Sequence, residues 1–251
     1  MPKKTLIVGL VGLAVTAAAI IAGPANAQHD HGEDWYGNGW HGGGNYAYSG
    51  GNPEDGKRIA EAKCASCHGA EGNGTNPQYP KLAGQSPAYL YWQLRAFKTG
   101  SRRSETMSGI VAALSDADAA DVASFYGRQV ITLNPVTDRA LASAGERIFF
   151  AGAGPWKVPP CAMCHASGGQ RHRPMMMHMM GHGMMGHGMM TSVPNLNGQH
   201  ATYIVDQLYR LASGERQGPM MNRIAAALSE ADKKAVAEYL SGSPVYSNTL
   251  H

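Results

Sequence analysis

Residues 64–68 read CASCH and residues 161–165 read CAMCH, and these two stretches decide how the chain is interpreted. Each is a CxxCH motif, which is typical of covalent haem attachment: both thiols bond to the haem and the histidine coordinates its iron. The alternatives are a zinc site with four thiolates and a thioredoxin-like redox pair. Zinc does not require a histidine after both pairs, and a redox pair more often follows a strand in a βαβ pattern that this sequence lacks. We therefore interpret both motifs as haem sites.

The N-terminus has the pattern of an export signal. Lys3 and Lys4 are followed by an apolar run over residues 5–22 and by the small-x-small sequence Ala25-Asn26-Ala27. We predict cleavage after Ala27 and a mature protein in the periplasm. The alternative is an uncleaved membrane anchor, because the run of about 18 residues is near the lower limit for a membrane span.

Cysteine usage and charge limit the class of protein further. An exported chain could use four cysteines for two disulfides, but all four lie inside the CxxCH motifs and none is spare. The formal net charge of +3 falls to about +1 once the two signal lysines are removed. Because this charge is small, we expect no nucleic-acid partner.

An internal repeat indicates the second iron ligand. Residues 80–126 match residues 194–240 without a gap, each position having its partner 114 residues later. Met107, the only methionine in the first copy, aligns with Met221. We predict both as axial ligands, with Met220 the alternative in the second copy. The competing interpretation is core packing, since methionine fills irregular gaps well. The polar, Gly- and Ser-containing segments around them, just before a helix, favour the ligand role.

Helix signals predict an all-α fold. Ser115 with Asp118 and Ser229 with Asp232 form capping-box patterns before the last helix of each copy. Ser86-Pro87 predicts the start of another helix, and convincing alternating strands are absent.

The predicted organisation is a signal peptide (1–27), a Gly/His/aromatic-rich linker (28–50), a first domain (51–133) and a second domain (134–251) with a Met/His-rich insertion (171–191).

The two CxxCH motifs, the two P-x-L-x-G-Q segments and the two methionine loops before a final helix together resemble the class I cytochromes c, and specifically the two-haem cytochrome c4 family. The resemblance covers about residues 53–244. It implies two tandem class I cytochrome c domains packed about a pseudo-twofold axis. Each would wrap round one covalently bound haem c, with the haems close enough to exchange electrons. The sequence departs from the family pattern in residues 28–50 and in the insertion before Pro194.

The resemblance also implies which residues hold each haem. The backbone carbonyls of Pro80 and Pro194 would accept hydrogen bonds from the axial histidine rings. Arg102 and Arg216 are candidates to pair with haem propionates, and the alternative for both is a solvated surface arginine. The implied haem-binding residues are Cys64, Cys67, His68 and Met107 in the first domain and Cys161, Cys164, His165 and Met221 in the second, with His68, Met107, His165 and Met221 as iron ligands.

Ligation by histidine and methionine predicts an electron carrier. The thioether favours Fe(II), and two filled axial positions leave no open site for a substrate. The sequence shows no nucleophile elbow, phosphate-binding loop or recognisable carboxylate pair. We expect electrons to come from a respiratory complex or periplasmic dehydrogenase and to pass to a terminal oxidase or reductase. The expected redox partners are a terminal oxidase, a quinol-oxidising complex or a copper protein, with association to a membrane-bound complex a further expectation.

Two alternatives to a free carrier remain open at this point. In the first, one haem loses its methionine and becomes a substrate site, as in an enzyme of the peroxidase or thiosulfate-oxidising type. In the second, the chain is the electron-accepting subunit of a larger dehydrogenase. An open-coordinate iron in the purified protein would favour the first, and co-purification with a partner would favour the second.

Nine methionines between residues 175 and 190 are extra to the haem fold. The sequence GHGMMGHGMM repeats a five-residue pattern over residues 181–190. Thioether and imidazole groups suit copper, and thioethers especially suit Cu(I), so an added copper function is a further hypothesis. The alternative is a low-complexity expansion. The candidate copper ligands are His178, His182, His187, Met184, Met185, Met189 and Met190.

Overall fold

Ten helices make up the regular structure of the residues that the computed structural model describes, namely 48–154, 157–165 and 193–243. In these ranges the only β-type pairing is an isolated bridge between Ala153 and Val158, and the predicted all-α fold is confirmed there. We call residues 48–133 the N-terminal repeat and residues 134–243 the C-terminal repeat. The helices are α1 (Pro53–Lys63), α2 (Ala65–His68), α3 (Pro87–Lys98), α4 (Glu105–Val111), α5 (Asp116–Gly127), α6 (Arg139–Ala151), α7 (Ala162–His165), α8 (Ala201–Ser213), α9 (Pro219–Ala227) and α10 (Glu230–Gly242).

The helix starts predicted from the sequence are confirmed. Helix α3 begins at Pro87 behind the N-cap Ser86, whose hydroxyl accepts a hydrogen bond from the backbone N–H of Tyr89. Capping boxes with both reciprocal hydrogen bonds open α5 and α10. These bonds satisfy backbone N–H groups that have no partner inside the first turn of a helix.

The first and last long helices of each repeat cross at a glycine. Helix α1 packs on α5, and a Cβ added to Gly56 would overlap the backbone carbonyl of Asp121. Helix α6 packs on α10, where a Cβ added to Gly145 would overlap the backbone carbonyl of Ala235. Only a residue without a side chain allows the two backbones to approach this closely. The same crossing is therefore present in both repeats.

Each repeat has its own hydrophobic core. The C-terminal repeat buries one large cluster that includes Phe149, Leu208 and Leu240. The N-terminal repeat buries a cluster around Tyr126 and a smaller one around Phe97. Among the described residues no such cluster contains buried residues from both repeats. This arrangement suits two haem-binding domains, and the boundary between residues 133 and 134 stays a prediction.

Several predictions fall outside the described residues. They concern the signal peptide over residues 1–27, most of the linker over 28–50 and the Met/His-rich insertion over 171–191. Across the ranges that are described, no helix has both the length and the apolar character needed to cross a membrane.

Candidate functional site

The first CxxCH motif places a buried histidine at the end of α2. His68 is 6% exposed, and its Nδ1 lies 2.8 Å from the carbonyl oxygen of Pro80. Because a carbonyl oxygen only accepts, Nδ1 carries the proton and Nε2 is the unprotonated nitrogen. Burial lowers the pKa of His68, against the opposing effect of the hydrogen bond to Pro80, and this keeps the ring neutral. Its Nε2 makes no hydrogen bond to any described residue.

The second motif reproduces this geometry at the end of α7. His165 is 8% exposed, and its Nδ1 lies 3.0 Å from the carbonyl oxygen of Pro194. Burial also lowers the pKa of His165, and its Nε2 again has no hydrogen-bond partner within the described ranges. The histidine–proline hydrogen bonds implied by the family resemblance are confirmed in both repeats.

The first cysteine of each motif does not have the property expected of a reactive redox thiol. All four are free of disulfides. Burial raises the pKa of the Cys64 and Cys161 thiols to about 11. A reactive CxxC pair instead needs a thiol whose pKa is lowered. The thioredoxin-like alternative is therefore disfavoured.

The zinc alternative finds no support in the arrangement of the ligands. All four cysteines, together with His68 and His165, lie in the described part of the chain. Within that part, no three side chains of the types His, Cys, Asp or Glu are grouped so that they could hold one metal ion. A structural zinc site requires four such ligands around one ion.

Each predicted methionine ligand lies in the first turn of a short helix. Met107 is the third residue of α4, where its N–H donates to the Ser104 hydroxyl at 3.3 Å. Met221 is the third residue of α9. The expectation that both stand in segments just before a helix is therefore incomplete, because these segments are themselves helical. Ser104 caps α4, and Pro219 opens α9 with a fixed φ.

Packing separates Met221 from its neighbour Met220. Met221 packs against the core of the C-terminal repeat, as Cys161 does. Met220 is 39% exposed. In the N-terminal repeat, Met107 and Cys64 pack on adjacent core clusters that share Ile59. These contacts favour Met221 over Met220 but do not separate iron ligation from core packing, and the ligand role stays a prediction.

The residues in each repeat fit a covalently bound haem. A buried ring nitrogen without a hydrogen-bond partner requires an explanation, since such groups are rare. The Nε2 atoms of His68 and His165 are in this state among the described residues. Iron coordination would satisfy both atoms. Cys161 and Met221 pack against one core in the C-terminal repeat, and Cys64 and Met107 pack on adjacent clusters in the N-terminal repeat.

Comparison with known proteins assigns the chain to a family. The cytochrome c family model matches residues 53–126. Cytochrome c4 of Pseudomonas aeruginosa is 35% identical over 200 residues, which cover 78% of this chain and 90% of that protein. The chain belongs to the cytochrome c4 family. Members of this family are electron carriers with covalently bound haem c.

Other relatives agree with this assignment. The crystal structure of reduced recombinant cytochrome c4 from Pseudomonas stutzeri matches with a TM-score of 0.64 at 34% identity, covering 76% of this chain and 98% of that chain. This match confirms the class I cytochrome c fold predicted from the motifs. A thiosulfate dehydrogenase electron acceptor of Thiomonas intermedia is 34% identical over 191 residues. These residues cover 73% of this chain and 80% of the relative.

Two arginines join the repeats of this cytochrome c4 family member. Arg102 donates to the Tyr203 hydroxyl at 2.9 Å, and Arg216 donates to the Tyr89 hydroxyl at 2.7 Å. Each arginine also bonds Gln93 and Gln207, one from each repeat. The two arginines, the two tyrosines and the two glutamines are each separated by 114 positions in the sequence. Such reciprocal contacts are expected around the pseudo-twofold axis that the family implies.

The alternative of a solvated surface arginine is wrong for both positions. Arg102 and Arg216 are half-buried and hydrogen-bonded, and neither has a carboxylate partner among the described residues. Burial raises the pKa of the Tyr89 hydroxyl, but the charges of Arg216 and Arg102 outweigh burial, and the net change is downward. The interface therefore carries positive charge that an anion such as a propionate would neutralise.

Sequence reasoning did not identify the tyrosine and glutamine partners of these arginines. The 114-residue offset aligns Tyr89 with Tyr203 and Gln93 with Gln207. This repetition of the same residue types is the sequence feature that points to them. The seven candidate copper ligands between residues 178 and 190 lie outside the described residues.

Proposed function

We propose that the protein is a periplasmic electron carrier with two haem c groups, each ligated by histidine and methionine. The observation that carries the proposal is the duplicated histidine site. In both repeats a proline carbonyl fixes the protonated Nδ1, while Nε2 has no hydrogen-bond partner in the described structure. Two equivalent sites, rather than one specialised site, suit a protein that accepts and donates single electrons.

The side chains of each repeat have distinct roles in this proposal. The two thiols would attach the haem covalently, and the histidine and the methionine would each bind its iron. When bound, each haem supplies reversible one-electron transfer between Fe(III) and Fe(II). The proline carbonyl holds the imidazole in one tautomer and orientation. The residues are Cys64, Cys67, His68, Met107 and Pro80, and in the second repeat Cys161, Cys164, His165, Met221 and Pro194.

The electron donor is proposed from the relatives. One relative is named a thiosulfate dehydrogenase electron acceptor, which favours a periplasmic dehydrogenase as donor. A quinol-oxidising complex is the second candidate donor, and a terminal oxidase, a reductase or a copper protein is the candidate acceptor. Mixing the oxidised protein with each candidate donor and following haem reduction by stopped flow would rank the donors. Mixing the reduced protein with each candidate acceptor and following haem oxidation would rank the acceptors.

Ligand binding by the reduced protein distinguishes the carrier from the enzyme alternative. If all axial positions are filled, carbon monoxide should leave both haem spectra unchanged. The measurement is the difference spectrum of the reduced protein with and without carbon monoxide. A stoichiometry of one carbon monoxide per chain would instead support a substrate-binding haem and contradict the proposal.

Periplasmic location and signal cleavage are proposed from the N-terminal pattern. Protein released from the periplasm should begin at Gln28, immediately after the small-x-small site. N-terminal sequencing or intact-mass analysis tests this directly. A mature chain that still begins in residues 1–22 would support the membrane-anchor alternative.

The interface arginines are proposed to pair with haem propionates. The double substitution Arg102→Met and Arg216→Met should lower both haem potentials, because an unneutralised propionate stabilises Fe(III). The expected shift is about 60 mV, a tenfold change in the reduction equilibrium. Potentiometric titration of the two-haem protein measures it. The matched control is Arg103→Met, which removes the same charge from an exposed neighbouring position and should change both potentials far less.

Copper binding by residues 175–190 is a second proposal that rests on sequence alone. The repeated His and Met side chains offer the donor types that Cu(I) prefers. A competitive Cu(I) titration should show tight binding by the two-haem protein and its loss when residues 175–190 are deleted, with both haem spectra recorded throughout. Equal and weak binding by both proteins would contradict it.

A further inference from the structure

A buried glutamine from each repeat forms hydrogen bonds with the backbone of the residue that follows the proline bonded to the other repeat's CxxCH histidine. Gln199 is 5% exposed; its Oε1 accepts from the Lys81 N–H at 2.9 Å and its Nε2 donates to the Lys81 carbonyl at 2.9 Å. Gln85 is 7% exposed; its Oε1 accepts from the Asn195 N–H at 2.7 Å and its Nε2 donates to the Asn195 carbonyl at 2.8 Å. The two contacts are reciprocal.

The peptide groups that receive these glutamines are the same ones that hold the histidine rings. The carbonyl of Pro80 accepts from His68, and the N–H of that same peptide, on Lys81, donates to Gln199. A continuous path of hydrogen bonds therefore leads from one histidine ring through one peptide group into the opposite repeat. The equivalent second path consists of His165, Pro194, Asn195 and Gln85.

Each glutamine oxygen is held in place from its own side. The Oε1 of Gln199 also accepts from the His200 N–H at 3.0 Å, and the Oε1 of Gln85 also accepts from the Ser86 N–H at 2.9 Å. With three hydrogen bonds and almost no solvent exposure, neither side chain has freedom to rotate away. The contact with the opposite repeat is therefore a fixed part of the histidine's surroundings.

Polarisation along this path has a defined direction. An acceptor on the N–H of an amide makes the carbonyl of the same amide a stronger acceptor. A stronger carbonyl acceptor draws the Nδ1 proton of the histidine and makes the ring a better electron donor to a metal. A more basic ligand favours Fe(III) over Fe(II) and so lowers the reduction potential.

We propose that Gln199 and Gln85 are positioning residues that lower the reduction potential of the haem in the opposite repeat. Gln199 acts on the haem held by His68, and Gln85 acts on the haem held by His165. The inference rests on the histidine ligation proposed above. It makes the closed interface between the repeats a determinant of both potentials.

The test replaces each glutamine with leucine in the two-haem protein. Gln199→Leu should increase the reduction equilibrium constant of the N-terminal haem by about threefold to tenfold. This change corresponds to a rise in its reduction potential of about 30–60 mV. Gln85→Leu should do the same for the C-terminal haem. Redox titration followed by the NMR signals of each haem gives the separate potentials, with signals assigned from Met107→Ala and Met221→Ala.

A second readout reports the hydrogen bond itself. In the reduced protein the Nδ1–H resonance of His68 should move to higher field in Gln199→Leu, and that of His165 should move in Gln85→Leu, because each bond weakens. The control Tyr203→Phe removes a hydrogen bond between the repeats that reaches neither histidine. It should leave both Nδ1–H resonances in place.

The crossed pattern is what the proposal requires. A shift in the haem of the glutamine's own repeat, equal shifts in both haems, or no shift would overturn it. If a leucine variant does not fold with both haems, Gln199→Glu, which keeps an acceptor oxygen, should instead lower the potential of the N-terminal haem alone. Failure of the proposed histidine ligation would already appear in the unmodified protein as missing histidine–methionine haem signals.

Discussion

Replacing Met221 with alanine is expected to remove the sixth ligand from one iron and leave the other haem unchanged. The charge-transfer band of methionine-ligated ferric haem should fall to half its intensity, because one of two such haems is lost. One of the two potentials should also fall strongly, since axial ligands set haem potentials over a range of about 0.8 V. Absorption spectroscopy and redox titration measure both effects. Met107→Ala should give the same result for the other haem.

Two matched changes check the assignment of Met221. Met220→Ala alters the adjacent, 39% exposed methionine and should preserve the full band. Deleting residues 175–190 removes nine methionines and should also preserve it. Half intensity in either variant, with a full band in Met221→Ala, would assign the ligand elsewhere.

Replacing Gly145 with alanine is expected to destabilise the C-terminal repeat severely. The new Cβ would overlap the backbone carbonyl of Ala235 and approach the side chain of Tyr239, so α6 and α10 must separate. Backbone atoms cannot rotate out of the way, and we expect a cost at or above the upper end of the overpacking range, about 3 kcal/mol. Denaturant unfolding followed by circular dichroism and haem absorption would measure the loss.

The same substitution at Gly109 provides the control. This glycine lies in α4, and a Cβ added there meets no atom within 4 Å. Gly109→Ala should be neutral or stabilise the protein by up to about 1 kcal/mol through helix propensity. Equal stability of the Gly145 and Gly109 variants would show that the helix crossing is looser than the structure indicates.

Local signals predict much of the fold from sequence. Ser86-Pro87 predicts the start of α3, and the Ser-x-x-Asp patterns predict the starts of α5 and α10, because capping depends on residues three positions apart. The histidine–proline hydrogen bonds follow from the family resemblance, because each repeat contains the matching motif. The helix starts involve few residues in short stretches of chain, whereas the histidine–proline hydrogen bonds span 12 residues in the first repeat and 29 in the second.

Features that depend on packing are not predictable in this way. Helices α4 and α9 contain seven and nine residues, too few for stable isolated helices, so tertiary contacts must support them. Their sequences therefore resemble polar connecting segments. Met107 and Met221 therefore lie in short helices and not in connecting segments, and they remain equivalent positions of the two repeats.

Contacts between the repeats also could not be predicted from the sequence. A half-buried arginine and a solvated arginine look the same in a sequence, and the hydroxyl partner of Arg102 lies 101 residues away. The 114-residue offset pairs equivalent residues, but it does not reveal which surfaces of the two repeats meet. The contacts of Gln85 and Gln199 were missed for the same reason.

The most direct test of the central claim is the number of covalent haems per chain. Pyridine haemochrome analysis of the purified protein, combined with the intact mass of the polypeptide, gives this number. We predict two covalently attached haems for each chain, one at Cys64 and Cys67 and one at Cys161 and Cys164. A value below two, with the protein folded and fully matured, would contradict the assignment of both CxxCH motifs as haem sites.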